Sequence, residues 1–218
     1  MKNTIYPLWP VMVGEFYNPN HTLIKNELVN FFEEYEKKRP LGNSQLNDEN
    51  YSGNHNLYQS DYNLHNEENT ALQNVLKFIG SRILDMSKKA NQSTLKNLDS
   101  NNSKVDLKLL ETWFIRYNKG GFVYPHKHDG CSWCCVYYVQ IGSETKKMNG
   151  STFFLRPYQG ESRMDFGGSY LREDTAVFKA EEGKLLIWPN YLYHGSHPFT
   201  GNKDRIIISA NSVIQLTK

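Results

Sequence analysis

The second half of the chain is a series of short apolar segments separated by turn-forming residues. Six of them follow one another from residue 107: LLETWFIRYN, CCVYYVQI, GSTFFLRP, TAVFKA, GKLLIWP and DRIIISANSVI. Each segment has the length of a β-strand and is bounded by Gly, Pro, Asn or Asp, which favour turns. The pattern predicts a β-sandwich or jelly roll over residues 107–218.

The first half of the chain is polar and helical in character. NHTLIKNELVNFFEEYEKK, from residue 20, and NTALQNVLKFIGSRILDMSKK, from residue 69, carry apolar side chains at spacings of three and four, which predicts two amphipathic helices. Residues 43–66 are rich in Asn, Ser and Gly and predict a long loop. We expect one mainly β domain, 1–218, in which residues 1–106 form a helical and loop-rich support for the β core at 107–218.

Charge and hydropathy argue against two kinds of partner. The 25 basic and 23 acidic side chains give a formal net charge of +2, which is too small a field to hold a nucleic-acid backbone. The sequence has no apolar run of the roughly 18 residues that a membrane helix needs. Its start, MKNTIYPLWPVMVGEF, has no small-residue cleavage site of a signal peptide. We expect a cytoplasmic protein that binds neither nucleic acid nor membrane.

All three cysteines lie within five positions, at Cys131, Cys134 and Cys135. An odd number of cysteines in one short segment cannot form a disulfide framework and suits a reducing compartment. Cys131 and Cys134 have the spacing of a zinc-binding pair, but a structural zinc site needs four ligands and the sequence has no second pair. Cys134 and Cys135 begin the apolar run CCVYYVQI, and we expect them to pack in a buried strand as small apolar residues.

Three of the seven histidines stand apart from the others. His126 and His128 are two residues apart, and on a strand this spacing directs both imidazoles to the same face. An isolated pair of this kind is more often exposed at a strand end, but His194, shortly after GKLLIWP, provides a third candidate ligand. Arg205 follows eleven residues later and opens the apolar segment RIIIS. The arrangement favours a metal site in the β-rich half.

An H-x-H pair, a distant histidine and an arginine about ten residues beyond it resemble the iron(II)- and 2-oxoglutarate-dependent oxygenases of the prolyl-hydroxylase branch. YNKGGFVYPHKHDG, VYYV, GSTFFLRP, EEGKLLIWPNYLYHGSHPF and RIIISANSVI are similar to segments of an oxygenase family common in phages and bacteria, and YQSDYNL extends the similarity to about residue 50. The resemblance implies a double-stranded β-helix packed against two or more helices. It also implies Fe(II), 2-oxoglutarate and O2 as cofactors, with ascorbate as the reductant in vitro.

The same resemblance assigns roles to six residues. It implies that the catalytic metal ligands are His126, His128 and His194. It implies that the residues that bind the cosubstrate are Arg205, Tyr138 and Tyr117. Arg205 would bind the far carboxylate of 2-oxoglutarate, because a guanidinium can meet a carboxylate with two hydrogen bonds. Tyr138 would offer its hydroxyl to that carboxylate, and Tyr117 would line the cosubstrate.

The second metal ligand departs from the common pattern, in which its place is taken by a carboxylate. Here the residue is His128, so the resemblance implies a three-histidine site. Asp129 stands one residue later, on the opposite face of a regular strand, and would need a β-bulge to reach the metal. Asp129 is therefore the second choice for this ligand, or a partner that orients an imidazole.

The resemblance implies that the chain couples oxidative decarboxylation of 2-oxoglutarate to succinate with hydroxylation of a C–H bond. It favours a protein or peptide substrate, with proline as the first side chain to consider, and loops at 43–66 and 158–175 could close over a peptide. The alternative is a cupin-like isomerase or small-ligand binding protein that holds zinc or manganese with three histidines and does not need Arg205 or Tyr138. A third reading, a non-enzymatic interaction module, predicts no metal.

Overall fold

Two antiparallel sheets and two long helices make up the described part of the chain. The computed structural model describes residues 10–44, 46, 53–94, 104–142, 148–158, 166–167 and 173–217. The helices and strands in chain order are β1 Gly14–Tyr17, α1 His21–Lys38, β2 Asn54–Gln59, α2 Thr70–Ala90, β3 Lys104–Val123, β4 Trp133–Gln140, β5 Thr152–Leu155, β6 Thr175–Phe178, β7 Lys184–Pro189, β8 His194–Ser196 and β9 Arg205–Thr217.

The larger sheet has six strands in the order β1-β7-β4-β9-β3-β2, and the smaller has three in the order β6-β5-β8. Every pair of neighbouring strands is antiparallel. The prediction of a mainly β fold with N-terminal helices is confirmed. The larger sheet also draws β1 and β2 from the first half of the chain, which the sequence pattern predicts to be support for the core.

The central strands of the larger sheet are buried on both faces, which is why they read as unbroken apolar runs. In β4 successive side chains alternate between two clusters of buried residues. One cluster includes the apolar residues of the helices, and the other lies on the opposite face of the sheet. Cys135 and Tyr137 belong to the first, and Cys134 and Tyr138 belong to the second. Cys134 and Cys135 therefore pack as predicted, and all three cysteines are free thiols.

The two predicted helices are confirmed to within one residue at each end. In α1, Leu28, Phe32 and Tyr35 are buried, and the ring of Phe32 stacks on that of Phe114 in β3 with 4.3 Å between the ring centroids. The side chain of Asn69 caps α2 by accepting a hydrogen bond of 2.9 Å from the backbone N–H of Leu72. No helix among the described residues is long and apolar enough to cross a membrane.

A β-bulge in β3 changes which side chains face the helices. Leu109 pairs with Ser212 of β9 and Glu111 pairs with Asn211, so Leu110 has no partner of its own. Before the bulge, the odd-numbered Leu109 packs in the cluster that contains the helices; after it, the even-numbered Phe114 does so. The bulge therefore turns odd-numbered residues from Glu111 onward toward the opposite face of the sheet.

The prediction of a loop without secondary structure at residues 43–66 is wrong over part of its length. This segment contains strand β2 and a 3-10 turn at Leu64–Asn66. β2 is an edge strand whose backbone pairs with β3, and its sequence, NHNLYQ, lacks the apolar alternation of a half-buried strand. The loop predicted at 158–175 lies largely outside the described residues.

Candidate functional site

The three predicted histidines and the predicted arginine line one cavity of about 410 Å³. Residues of the larger sheet form one wall, including Tyr117, Trp188 and Arg205. The smaller sheet contributes Thr152 of β5 and His194 of β8. This volume lies in the usual range of sites for small molecules, roughly 300–1,000 Å³.

The backbone brings the histidines together after β3 ends. His126 and His194 exchange two backbone hydrogen bonds of 2.9 Å, so they face each other as an isolated antiparallel bridge. The N–H of His128 donates to the carbonyl oxygen of Asn190 at 3.1 Å, which ties the same segment to the turn between β7 and β8. His126 and His128 do not lie on a regular strand as predicted, because the chain leaves β3 at Val123 and passes through Pro125.

The three imidazoles converge on one point. Their ring centroids are separated by 4.4 Å for His126 and His194, 5.0 Å for His126 and His128, and 5.1 Å for His128 and His194. One ring nitrogen of each histidine lies within 4.8 Å of one ring nitrogen of each of the others. Three nitrogen ligands at this separation can hold one metal ion on one side.

In each of the three histidines, Nδ1 lies within hydrogen-bonding distance of an oxygen atom. The acceptors for His126, His128 and His194 are, in that order, the carbonyl of Tyr124 at 2.9 Å, Oδ1 of Asn211 at 2.8 Å and the carbonyl of Leu192 at 3.0 Å. Since an oxygen of this kind only accepts, Nδ1 carries the proton in all three rings. Nε2 is therefore the nitrogen with a free lone pair, which is the atom a metal needs.

Burial keeps the three rings neutral. Loss of solvation lowers the pKa of all three imidazoles, that of His194 well below its ordinary value. The pKa of His128 falls to about 4, through burial first and then through the neighbouring His126. Nε2 of His128 is buried and has no hydrogen-bond partner among the described residues. The donor set therefore fits a divalent metal ion, which binds neutral imidazole.

Arg205 lies deep in the same cavity, and no acidic side chain among the described residues forms an ion pair with it. It is 1% exposed, and the carbon at the centre of its guanidinium is 4.1 Å from the centroid of the Tyr117 ring. Its Nε and Nη1 are buried without a hydrogen-bond partner in the described part of the chain. A buried cation with unused donors is costly unless an anion binds to it. The arrangement fits a carboxylate ligand.

Tyr138 is buried beside Arg205, with 5.3 Å between the guanidinium carbon and the centroid of the tyrosine ring. Its hydroxyl is 2.6 Å from Oγ1 of Thr152 and accepts a bond of 3.2 Å from the backbone N–H of that residue. Thr152 lines the cavity, whereas Tyr138 is not among the residues that line it. Thr152 is thus a site residue that sequence reasoning missed.

Two further polar residues of the cavity were not predicted. Asn211 is the side chain that meets Nδ1 of His128, and its own N–H donates to Oε2 of Glu111 at 2.7 Å. Asn211 lies six residues after Arg205, so even spacing along one strand places both on the same face, a signal the sequence contains. Asp129, the second choice for a ligand, is exposed at the cavity and does not belong to the histidine cluster.

Comparison with known proteins finds a family model similar to part of this chain. Residues 111–211 match the family model described as "Putative 2OG-Fe(II) oxygenase". No curated protein matches the sequence.

Solved structures with the same fold are distant in sequence. A prolyl-4-hydroxylase from Pseudomonas putida is 12% identical, with a TM-score of 0.55 over 93% of this chain and 92% of that one. HygX from Streptomyces hygroscopicus, solved with nickel and 2-oxoglutarate bound, is 12% identical, with a TM-score of 0.57 over 93% and 82%. A prolyl hydroxylase from Trichoplax adhaerens, in complex with a hypoxia inducible factor peptide fragment, is 13% identical, with a TM-score of 0.57 over 92% and 83%.

These likenesses establish the fold, and the sequence match covers all three histidines and Arg205. The segment that matches runs from Glu111 to Asn211, the two residues that meet across β3 and β9. The segment that contains the candidate site is therefore similar to the 2OG-Fe(II) oxygenases.

Proposed function

We propose that this protein is an Fe(II)- and 2-oxoglutarate-dependent hydroxylase in which His126, His128 and His194 hold the iron through Nε2 and Arg205 binds the cosubstrate. The observation that carries the proposal is a buried guanidinium, with two nitrogens that no described residue hydrogen-bonds, in the same cavity as three neutral imidazoles. A metal site alone would fit a cupin-like protein. The additional anion site favours an oxoacid.

The three histidines would take three positions on the metal and leave the others for 2-oxoglutarate and O2. When bound, the iron supplies the redox chemistry that couples oxidative decarboxylation of 2-oxoglutarate to hydroxylation of a C–H bond. The contribution of the protein is to fix the three rings. Backbone bonds on both sides of His126 and His194, together with the Nδ1 acceptors, leave the rings little freedom.

Arg205 would pair with the far carboxylate of 2-oxoglutarate. The ring of Tyr117 beneath the guanidinium stabilises the cation and holds it toward the cavity. Thr152 of the smaller sheet, whose hydroxyl is hydrogen-bonded to that of Tyr138, contributes a second polar group to the cavity. Tyr138 then acts on the cosubstrate through Thr152, and Tyr117 acts through its ring face.

For the substrate we propose a peptidyl side chain, with proline first. Support comes from the fold, which is shared with prolyl hydroxylases of which one binds a peptide fragment. The cavity is also lined by Asn54, Tyr62 and Tyr124, which provide neutral polar and aromatic contacts for a peptide. We propose that the domain extends over 1–218, because β1 and β2 complete the larger sheet.

The test is turnover of 2-oxoglutarate by purified protein with Fe(II), ascorbate and O2. We expect slow formation of succinate without a substrate, and faster formation with a peptide that contains the correct side chain. Prolyl peptides and matched alanyl peptides should be compared, with the gain of one oxygen atom measured by mass spectrometry. His194→Ala should abolish both reactions.

A protein that binds metal at the three histidines but neither binds nor consumes 2-oxoglutarate would contradict the proposal and favour the cupin-like alternative. A protein that binds no metal at all would favour an interaction module. Turnover with alanyl but not prolyl peptides would leave the oxygenase in place and refute the choice of proline.

A further inference from the structure

We propose that Glu111 is a positioning residue that acts through Asn211 to orient His128 and to supply negative charge to a metal centre built from three neutral ligands. The inference rests on the proposed function, because it assumes that His128 binds the metal. It extends that function to two residues with no assigned role, Glu111 on β3 and Asn211 on β9.

The three side chains form a continuous chain of hydrogen bonds. Nδ1 of His128 donates to Oδ1 of Asn211 at 2.8 Å, and Nδ2 of Asn211 donates to Oε2 of Glu111 at 2.7 Å. Each group has only one way to satisfy the next, since the carboxylate only accepts and the amide offers one acceptor and one kind of donor. The carboxylate thus fixes the amide orientation, and the amide fixes the tautomer of His128 with Nε2 free for the metal.

The fold holds this chain in place. Glu111 and Asn211 are directly opposite each other in the register of β3 and β9, and Asn211 is 5% exposed. Glu111 faces the cavity because the bulge at Leu110 shifts the alternation of β3 by one residue. Bulges of this kind re-aim side chains next to functional sites.

The negative charge of Glu111 offsets the positive charge of the proposed metal site. A facial site commonly contains one carboxylate ligand, whereas the candidate ligands here are three imidazoles, which bind a metal as neutral groups. The lining of the cavity also includes two cations, Arg205 and Lys127. Two acidic residues of the described part of the chain line it: Glu111 is joined to His128 through Asn211 by hydrogen bonds, while Asp129 is exposed. Glu111 therefore supplies a negative charge near the metal site through Asn211, in place of the carboxylate ligand that His128 replaces.

The test is anaerobic titration with Co(II), whose absorption bands report both affinity and ligand geometry, in the absence of 2-oxoglutarate. Glu111→Gln keeps an oxygen for Asn211 and removes the charge, and we expect it to weaken Co(II) binding about 10-fold or more. Asn211→Ala removes both links and should weaken it by about 100-fold. Asp129→Asn removes an equal charge next to His128 without touching the chain of hydrogen bonds, and should leave the affinity unchanged.

A double variant separates positioning from structural support. Glu111→Gln combined with Asn211→Asp moves the carboxylate by one link, because the new amide can donate to the new carboxylate, which still accepts from Nδ1 of His128. We expect this variant to recover most of the Co(II) affinity that Glu111→Gln loses. Thermal unfolding of the metal-free proteins should differ little, since Gln and Asp match the replaced side chains in size.

The outcomes distinguish this inference from the function on which it rests. If the wild type binds no Co(II), or binds it without need of His128, the proposed function fails. If the wild type binds Co(II) through His128 and Glu111→Gln binds it equally well with the same spectrum, the function stands and the role of Glu111 is refuted. Loss of affinity in Glu111→Gln without recovery in the double variant would also refute it.

Discussion

Replacement of Arg205 should weaken binding of 2-oxoglutarate without lowering the stability of the ligand-free protein. Arg205 is 1% exposed, and its Nε and Nη1 have no hydrogen-bond partner among the described residues. Loss of one partner from a buried, hydrogen-bonded charge pair costs about 2–5 kcal/mol. For Arg205→Met we therefore expect the dissociation constant of 2-oxoglutarate to rise by about 30-fold or more.

The same change should not destabilise the ligand-free protein. Met fills a similar volume and removes a buried charge whose desolvation is not compensated, a change that is often neutral or stabilising. The loss of the contact between the guanidinium and the Tyr117 ring opposes this gain by about 1–2 kcal/mol. We expect the melting temperature of ligand-free Arg205→Met to equal or exceed that of the wild type.

Thermal unfolding with and without 2-oxoglutarate measures both effects in one assay. At a ligand concentration 100 times the dissociation constant, binding stabilises the wild type by about 2.7 kcal/mol. In a chain of this size, that corresponds to a rise in melting temperature of roughly 5–11 °C. The variant should show no such rise, and Arg205→Lys should recover only part of it, because an ammonium cannot bind a carboxylate with a planar pair of donors. A wild-type shift in Arg205→Met would mean that the carboxylate binds elsewhere.

Three further predictions concern the histidines and the floor of the cavity. His128→Ala should abolish binding of iron or manganese under anaerobic conditions while Asp129→Ala retains it; the reverse result would make Asp129 the ligand. His128 should make the metal-free protein less stable by about 3 kcal/mol as the pH falls from about 6.5 to 4. The reason is that this imidazole takes up a proton at its ordinary pKa in the unfolded chain but only at a pKa of about 4 in the folded protein. Urea titrations across this pH range measure the loss of stability, which should be smaller in His128→Asn. Gly150→Ala should weaken binding of 2-oxoglutarate but not of iron, because the added Cβ would lie 2.7 Å from Cδ of Arg205 and displace that side chain. Gly120→Ala is the control for backbone strain, since Gly120 also has a positive φ but has no atom within 4 Å of the added Cβ.

The helices and strands that could be predicted are those whose own pattern of apolar residues shows which faces are buried. α2 repeats its apolar residues along one face, and β4 is apolar on both faces, so each has one interpretation. β2 and β8 could not be predicted, because their strand conformation depends on hydrogen bonds to partners far along the chain. β8 is only three residues long, HGS, and none of these favours a strand on its own.

The candidate site divides in the same way. His126, His128, His194 and Arg205 could be proposed from their spacing and from the family resemblance, and the structure brings all four into one cavity. The chain of hydrogen bonds behind His128 could not be proposed, because it joins residues 100 positions apart in the sequence. Its geometry depends on the register of two strands and on a bulge that no local pattern announces.

The bulge at Leu110 has a consequence for how this protein can change in length. One continuous strand serves the helical layer with its odd-numbered residues on one side of Leu110 and with its even-numbered residues on the other. Loss of the single residue Leu110 would remove the bulge and leave Leu109 and Phe114 four positions apart, on the same face of a regular strand. Loss of an interior residue elsewhere in β3 would instead turn the side chains beyond it to the opposite face of the sheet. An insertion or deletion of one residue in a polar surface turn carries no such conflict. Within β3 we therefore expect loss of a residue to be tolerated best at Leu110, the one position that β9 does not match with a residue of its own.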